Sequence, residues 1–328
     1  MTIVYGILGL GFLVFFHETG HFIAARIFGV KVESFSVGMG PVLLHHTFKG
    51  TDYRLSLIPL GGYCGMKGEQ DYQKAIEENL SEIKGDKDSF YGVHPFKRLL
   101  IAFAGPFFNL LFAFIAFFVI ALMGYTYYSA GTTVAMADEV YEDMTSIAHE
   151  SGMQSGDTII AINNKEMNDF SDILTFISTH PDEDVVIKCL RNGEEIDISV
   201  HTQLDKETGA GRIGIVADGN SVAAREYPSH SFFEAIKEGI IETNSNLALV
   251  IKSVGILFKG IDVTKAVSGP ARITTMLGET VKEGFTSSFH NGVISTLQFL
   301  ALISISLFFT NLLPVPILDG GLILFALI

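Results

Sequence analysis

Cysteine and positive charge are both scarce in this chain. Only two cysteines, Cys64 and Cys189, occur among its 328 residues. Two thiols so far apart give no disulfide framework and no cysteine-based metal site; the plain reading is two small, buried or half-buried thiols. Lys and Arg number 22 against 36 Asp and Glu, for a net charge of −14. That deficit speaks against nucleic acid, which attracts basic patches, and says nothing about fold. Tryptophan is absent, while phenylalanine contributes 27 residues. Apolar residues reach 48% and mean hydropathy is +0.38. The chain is too apolar for an ordinary soluble enzyme and too charged for a bundle wholly inside a membrane. A membrane part plus a water-exposed part fits better, and the length predicts at least two structural units. The N-terminus lacks the basic segment and small-residue cleavage site of a signal peptide, so its apolar run is expected to stay in the membrane.

Four stretches have membrane character. Residues 3–25, 97–123 and 290–312 are each long enough to cross a hydrocarbon core, which takes about 20 apolar residues. The fourth follows Pro314 and Pro316 and is too short to cross alone, so the chain is expected to stop inside a fourth helix. Arg26 and Lys31 follow the first stretch, and Lys97 and Arg98 open the second; no further Lys or Arg occurs until Lys165. The excess of basic residues on cytoplasmic loops then places 26–96 inside, and 125–290 and the N-terminus outside.

The predicted organisation runs as follows. A first transmembrane helix covers 1–26, a β-rich region 27–68, a polar cytoplasmic segment 69–95, helical or mobile, and a second transmembrane helix 96–124. A small α+β domain follows over 125–208, then an external region over 209–289, a third transmembrane helix over 290–313, and a Pro-rich turn entering a fourth over 314–328. Alternation with Gly punctuation predicts the β-rich region, and free β edges in lipid must be sheltered. Within the small domain, Asn163-Asn164 reads as a turn and Arg191-Asn192-Gly193 as a hairpin. Phe170, Ile173, Leu174 and Ile177 share one face of a helix that Asp169 or Ser171 could cap. Residues 231–259 read as an amphipathic helix lying on a surface rather than a span.

The decisive string is His17-Glu18-Thr19-Gly20-His21. Positions four apart share a helix face, so His17 and His21 can hold one zinc ion. Glu18 can take a proton from water at the metal. The pattern also arises by chance in soluble helices. Here it sits in an otherwise apolar helix, where ionisable groups are costly and point to function. Zinc catalysis takes three protein ligands and an open position, and Asp319 stands in an equally odd place. Pro314 and Pro316 break the helix before it, and Gly320 and Gly321 permit close backbone approach. An Asp there can reach a metal held by another helix, or simply cap the last one. Asn311 could orient a substrate backbone or bridge helices by hydrogen bonding.

Three segments carry a resemblance: HETGH in the first helix, Phe103 to Asn109 in the second, and Asn311 to Gly321 after the third. Together they resemble the site-2 protease family of intramembrane zinc metalloproteases, most closely its bacterial RseP-type (regulator of sigma-E protease) branch. The resemblance covers nearly the whole chain. It implies that His17, His21 and Asp319 are zinc ligands, Glu18 the general base and Asn311 a grip on the substrate strand. It implies that Asn109, with a Gly105-Pro106 turn, lies near the active site. Gly38 and Gly40, with Met39 and the β-rich run to Gly65, would belong to a membrane re-entrant β-loop that pairs with an unwound substrate. Residues 125–208 would be a single PDZ domain, and Ser268-Gly269-Pro270 the link to the third helix. The implied fold is a multi-pass α-helical membrane protein of about four transmembrane helices, with that β-loop and the inserted PDZ domain. The implied setting is a bacterial inner membrane with the PDZ domain outside. The implied partners are the bilayer and pre-trimmed single-span proteins, such as anti-sigma factors or signal-peptide remnants. Zinc is the only cofactor expected. Relatives often carry His where this chain has Leu322. Two other readings are weighed: a membrane zinc transporter, for which no internal repeat is found, and an inactive PDZ-bearing scaffold, which would have no reason to keep Glu18.

Overall fold

A computed structural model describes residues 2–69, 71, 85–257, 269–316 and 318–327. Most of the polar excursion expected after residue 69 therefore lies outside the described residues, as do Ser268 and the last two positions of the 231–259 pattern. The chain divides into two compact units, one drawn from residues 1–123, 230–250 and 269–328, the other from 124–229 and 251–268.

Apolar composition and helix geometry together build the first unit. Helix α1 spans Thr2–Ile27 and α2 Pro95–Met123, and four more described helices come after the strands of the second unit. Along α1, Gly6, Leu13, His17, Gly20, His21 and Ala24 are buried. They form one stripe at helical spacing. Ile3, Val4, Leu8, Phe12 and Ile23 are left facing outward, as a helix against lipid requires. Small residues let backbones approach. A Cβ on Gly20 would lie 2.3 Å from the Ala104 carbonyl oxygen of α2.

Strands β1 (Val32–Phe48) and β2 (Thr51–Met66) fold back on each other. Ser34 to Val37 run between two partners, with residues 62–65 on one side and 52–55 on the other. One side of this sheet joins α1 and α2 in a core of Ala25, Val30, Val32, Phe35, Met66, Phe90 and Ile101. Lys67 Nζ ties the returning chain down through Asp88 at 2.6 Å and Asp86 at 2.9 Å.

Helix α6 (Phe232–Leu257) packs its first part on α2, where a Cβ on Gly239 would meet the Phe118 nitrogen at 3.1 Å. Helix α7 (Pro270–Ser287) has Pro at its start, where the missing N–H costs nothing. Helix α8 (Phe289–Asn311) begins at Ser288, whose hydroxyl accepts from Asn291 N at 3.0 Å. Pro314 and Pro316 end that run, and α9 (Asp319–Leu327) restarts it. Three described helices, α1, α2 and α8, are long and apolar enough to cross a membrane. At nine residues α9 does not qualify, and 26-residue α6 is not among the three. The Gly105-Pro106 pair forms no turn. It lies inside α2, which runs on through Pro106.

The second unit is β-rich and opens with β3 (Tyr125–Ser129) and β4 (Val134–Met136). Antiparallel β5 (Thr158–Ile162), β6 (Lys165–Glu166), β7 (Asp184–Arg191) and β8 (Glu194–His201) form a sheet in the order β6-β5-β7-β8. Asn163, Asn164, Asn192 and Gly193 all have positive φ, the conformation that two-residue hairpin turns demand. The short helices α3 (Ala137–Val140) and α4 (Ile147–Glu150) precede α5 (Phe170–Ser178), which is capped by Asp169, an acceptor from Asp172 N at 3.0 Å. Its Ile173 and Ile177 enter the core, but Leu174 is 60% exposed, so the buried stripe is narrower than its apolar pattern. The unit also extends past 208, to Ser229. Residues 215–217 pair with 134–136, and 223–227 with 125–129.

Candidate active site

Helical spacing turns His17 and His21 to the same side of α1. Their Nε2 atoms lie 3.2 Å apart, and both side chains are buried. Asp319, at the first turn of α9, offers one carboxylate oxygen to each. Oδ2 is 3.1 Å from His17 Nε2, and Oδ1 is 3.3 Å from His21 Nε2. The turn that delivers it needs its glycines. A Cβ on Gly320 would sit 2.2 Å from the Leu313 oxygen, and one on Gly321 2.4 Å from the Val315 oxygen.

One ligand atom from each of the three residues lies within 4.8 Å of the others, and no other described group of His, Cys, Asp and Glu converges in this way. Two imidazoles and a carboxylate are a zinc donor set that leaves room for water or substrate. The orientation of His21 fits that use. Its Nδ1 lies 2.8 Å from the Ile101 carbonyl oxygen. A carbonyl can only accept, so Nδ1 carries the proton and the Nε2 lone pair faces Asp319's side of the ring. His17 Nδ1 instead faces the side-chain amide of Asn109 at 3.0 Å. Gly105 makes room for this arrangement, since a Cβ there would lie 2.1 Å from His21 Nε2.

The three residues border a cavity of about 860 Å³, which Glu18 also lines. Half-buried Glu18 follows His17 directly. A Cβ on Gly62 would lie 3.5 Å from its Cγ, so the sheet passes close to it. Of the expected site residues, His17, Glu18, His21 and Asp319 meet at this cavity, whereas Asn311, Asn109, Gly38 and Gly40 are not among its lining. Asn311 is the half-buried last residue of α8. Asn109 stands behind His17. Gly38 and Gly40 have φ of +87° and +82° and serve the backbone's own bend; a Cβ on Gly38 would meet the Ile58 oxygen at 2.8 Å.

The sheet reaches the cavity instead through the far end of β2, with Tyr63, Cys64, Gly65 and Met66, and the start of β1, with Glu33 and Ser34. The expected β-loop runs as far as Gly65; Met66 and acidic Glu69 have no motif to mark them. Cys64, a free, buried thiol, is part of this wall. Leu322 lines the cavity one turn after Asp319.

A model described as peptidase family M50 matches residues 5–328. Three relatives bear names that mark them as candidate zinc metalloproteases. The protein from Treponema pallidum is 35% identical over 99% of this chain and 90% of its own length. That from Campylobacter jejuni is 35% identical over 98% of this chain and 82% of its own. A Helicobacter pylori protein is 32% identical over 97% and 86% respectively.

Proposed function

The chain belongs to peptidase family M50, the site-2 protease family, and on that premise we propose how its residues divide the work. The protein is an intramembrane zinc metalloprotease, an integral membrane protein that acts on membrane-embedded substrates. His17, His21 and Asp319 would hold the zinc. When bound, zinc supplies Lewis acidity toward a peptide carbonyl and makes water a nucleophile near neutral pH. A Glu18 carboxylate oxygen takes the proton that the attacking water loses and returns it to the leaving nitrogen. The observation that carries this reading is Asp319's carboxylate spanning both Nε2 atoms at 3.1 and 3.3 Å, with Glu18 on the same cavity.

A helical substrate must unwind before its carbonyl can be attacked. The extended stretch could then add to the sheet along residues 62–66, which pair on one side with residues 32–37 and of which 63–66 border the cavity. Strand addition gives affinity through backbone hydrogen bonds and leaves side chains nearly free. Asn311, at the end of α8, would hold the strand's other edge. Residues 125–208, with the strands that follow to Ser229, would form a PDZ domain on the extracytoplasmic side of a bacterial inner membrane. There it would admit substrates whose external parts have already been trimmed. Single-span anti-sigma factors and signal-peptide remnants are the substrates this arrangement suits. The β-loop would be re-entrant, and α9 would open a fourth transmembrane helix.

The deciding experiment is cleavage of a model single-span substrate by purified wild type beside Glu18→Gln, with zinc measured on both. Cleavage by wild type alone, with about one zinc on each protein, is expected. Zinc on both and cleavage by neither would favour metal transport over proteolysis. Deletion of residues 124–229 tests the filter, which fails as an idea if trimmed and untrimmed substrates are still told apart.

A further inference from the structure

Asn109 has no solvent exposure. Its amide nitrogen is placed 3.0 Å from His17 Nδ1, and its Oδ1 has no hydrogen-bond partner among the described residues. The two ends of a primary amide are nearly equal in size, so their assignment has to follow the hydrogen bonds. An imidazole that offers Nε2 to a metal keeps its proton on Nδ1. With the nitrogen toward His17, two donors would then face each other while a buried acceptor goes unused. Turning the amide over places Oδ1 against Nδ1–H and removes the conflict.

We infer that Asn109 is a positioning residue for His17: its side-chain oxygen accepts the Nδ1–H hydrogen bond and so fixes the ring's plane and tautomer. This rests on the reading of His17 as a zinc ligand. The neighbouring ligand is held by the same device, because His21 Nδ1 donates to the Ile101 carbonyl at 2.8 Å. Both acceptors sit on α2, which thereby sets both rings of α1. Asn109 is itself fixed, since its backbone oxygen accepts from the fully buried Ser304 hydroxyl of α8 at 2.8 Å. Fully buried, unlike half-buried Asn311, and absent from the cavity's lining, it cannot reach a substrate strand there. Outer partners of metal-bound histidines set ligand orientation and basicity, and losing one typically costs about 10–100-fold in metal affinity or activity.

The test is chelator competition for zinc on purified full-length wild type, Asn109→Leu and Asn109→Asp. Leucine keeps the volume and removes the acceptor; aspartate accepts with either oxygen. Asn109→Leu is expected to bind zinc about 10–100-fold more weakly, while Asn109→Asp stays near wild type. Wild-type affinity in Asn109→Leu overturns the inference, and so does an equal loss in both variants, which would make packing the cause. Wild type that binds no zinc overturns the ligand reading itself, a distinct result. Should Asn109→Leu fail to fold, ¹⁵N-histidine spectra of zinc-loaded wild type decide the matter. A proton on His17 Nδ1 is expected, and a bare Nδ1 overturns the proposal.

Discussion

Asp319 in the membrane unit and Asp157 in the β-rich unit are both withdrawn from water, and they are satisfied in opposite ways. Asp157, 1% exposed, receives Arg191 Nε and Nη2, each at 2.7 Å, and the Gln154 backbone N–H at 2.9 Å. A full cation in fork geometry and a backbone donor fill its oxygens, and it borders nothing that needs it. Asp319 has two imidazoles instead, and its far side opens on a cavity shared with Glu18. A completed ion pair holds a fold together; a carboxylate shared between two imidazoles at the edge of a cavity has the donors that a metal would take. Low exposure is common to both, and the partner's chemistry is what distinguishes them.

The sharpest break in this comparison comes from removing the metal. Stripping zinc with a chelator, or Asp319→Asn, is expected to abolish cleavage while thermal unfolding of the β-rich unit stays unchanged. Glu18→Gln is expected to keep the zinc and slow cleavage by about 10²–10⁴-fold, the usual worth of a general base; single-turnover cleavage on metal-checked protein reads this. Gly105→Ala forces a methyl against His21, and about a 10–100-fold loss of zinc affinity should follow, as for other disturbances of ligand orientation.

In the other unit, Arg191→Met leaves Asp157 buried without its cation. It should cost about 3 kcal/mol of that unit's stability, measured by chemical unfolding, with proteolysis little changed in unstressed protein. The pH dependence has a definite sign. Burial pushes the Asp157 carboxyl up, but its bonds to Arg191 and Gln154 outweigh this and hold it below its ordinary value of 3.8. A group depressed on folding stabilises above its unfolded-state value, and that stability is lost as pH falls toward the folded-state value. Wild type should therefore weaken on acidification from about pH 5 downward, and Asp157→Asn should lack that component. The smallest effect belongs to Leu322→His, expected to leave cleavage within about threefold, less than 1 kcal/mol in barrier. A larger change would mean that the cavity wall after Asp319 takes part in the chemistry.

The part of the site legible in sequence is the part fixed by local geometry. Four-residue spacing on a helix puts His17 and His21 side by side whatever surrounds them, and two prolines before Asp319 announce a break. Likewise Asn163-Asn164 and Asn192-Gly193 mark hairpins because few residues tolerate their φ. Distant pairing left no such mark. Residues 34–37 lie between 52–55 and 62–65, a choice made by packing on α1 and α2, so the stretch that reaches the cavity is Tyr63 to Met66 and not Gly38 to Gly40. The strands at 215–217 and 223–227 are short and find partners roughly eighty to a hundred positions back, which no window of sequence reveals; hence the boundary expected at 208. Asn109 is visible as part of a motif, but only its burial against His17 points to a role through that histidine.

The chamber beside Asp319 changes how scarcity should be understood for this reaction. Liquid water occupies about 30 Å³ per molecule, so a space of about 860 Å³ could hold on the order of thirty. A droplet of that size would turn hydrolysis within an oily slab into chemistry at a wet bench. The reactant in short supply would then be the straightened peptide, and turnover would follow how readily a helix gives up its own hydrogen bonds at the chamber's edge.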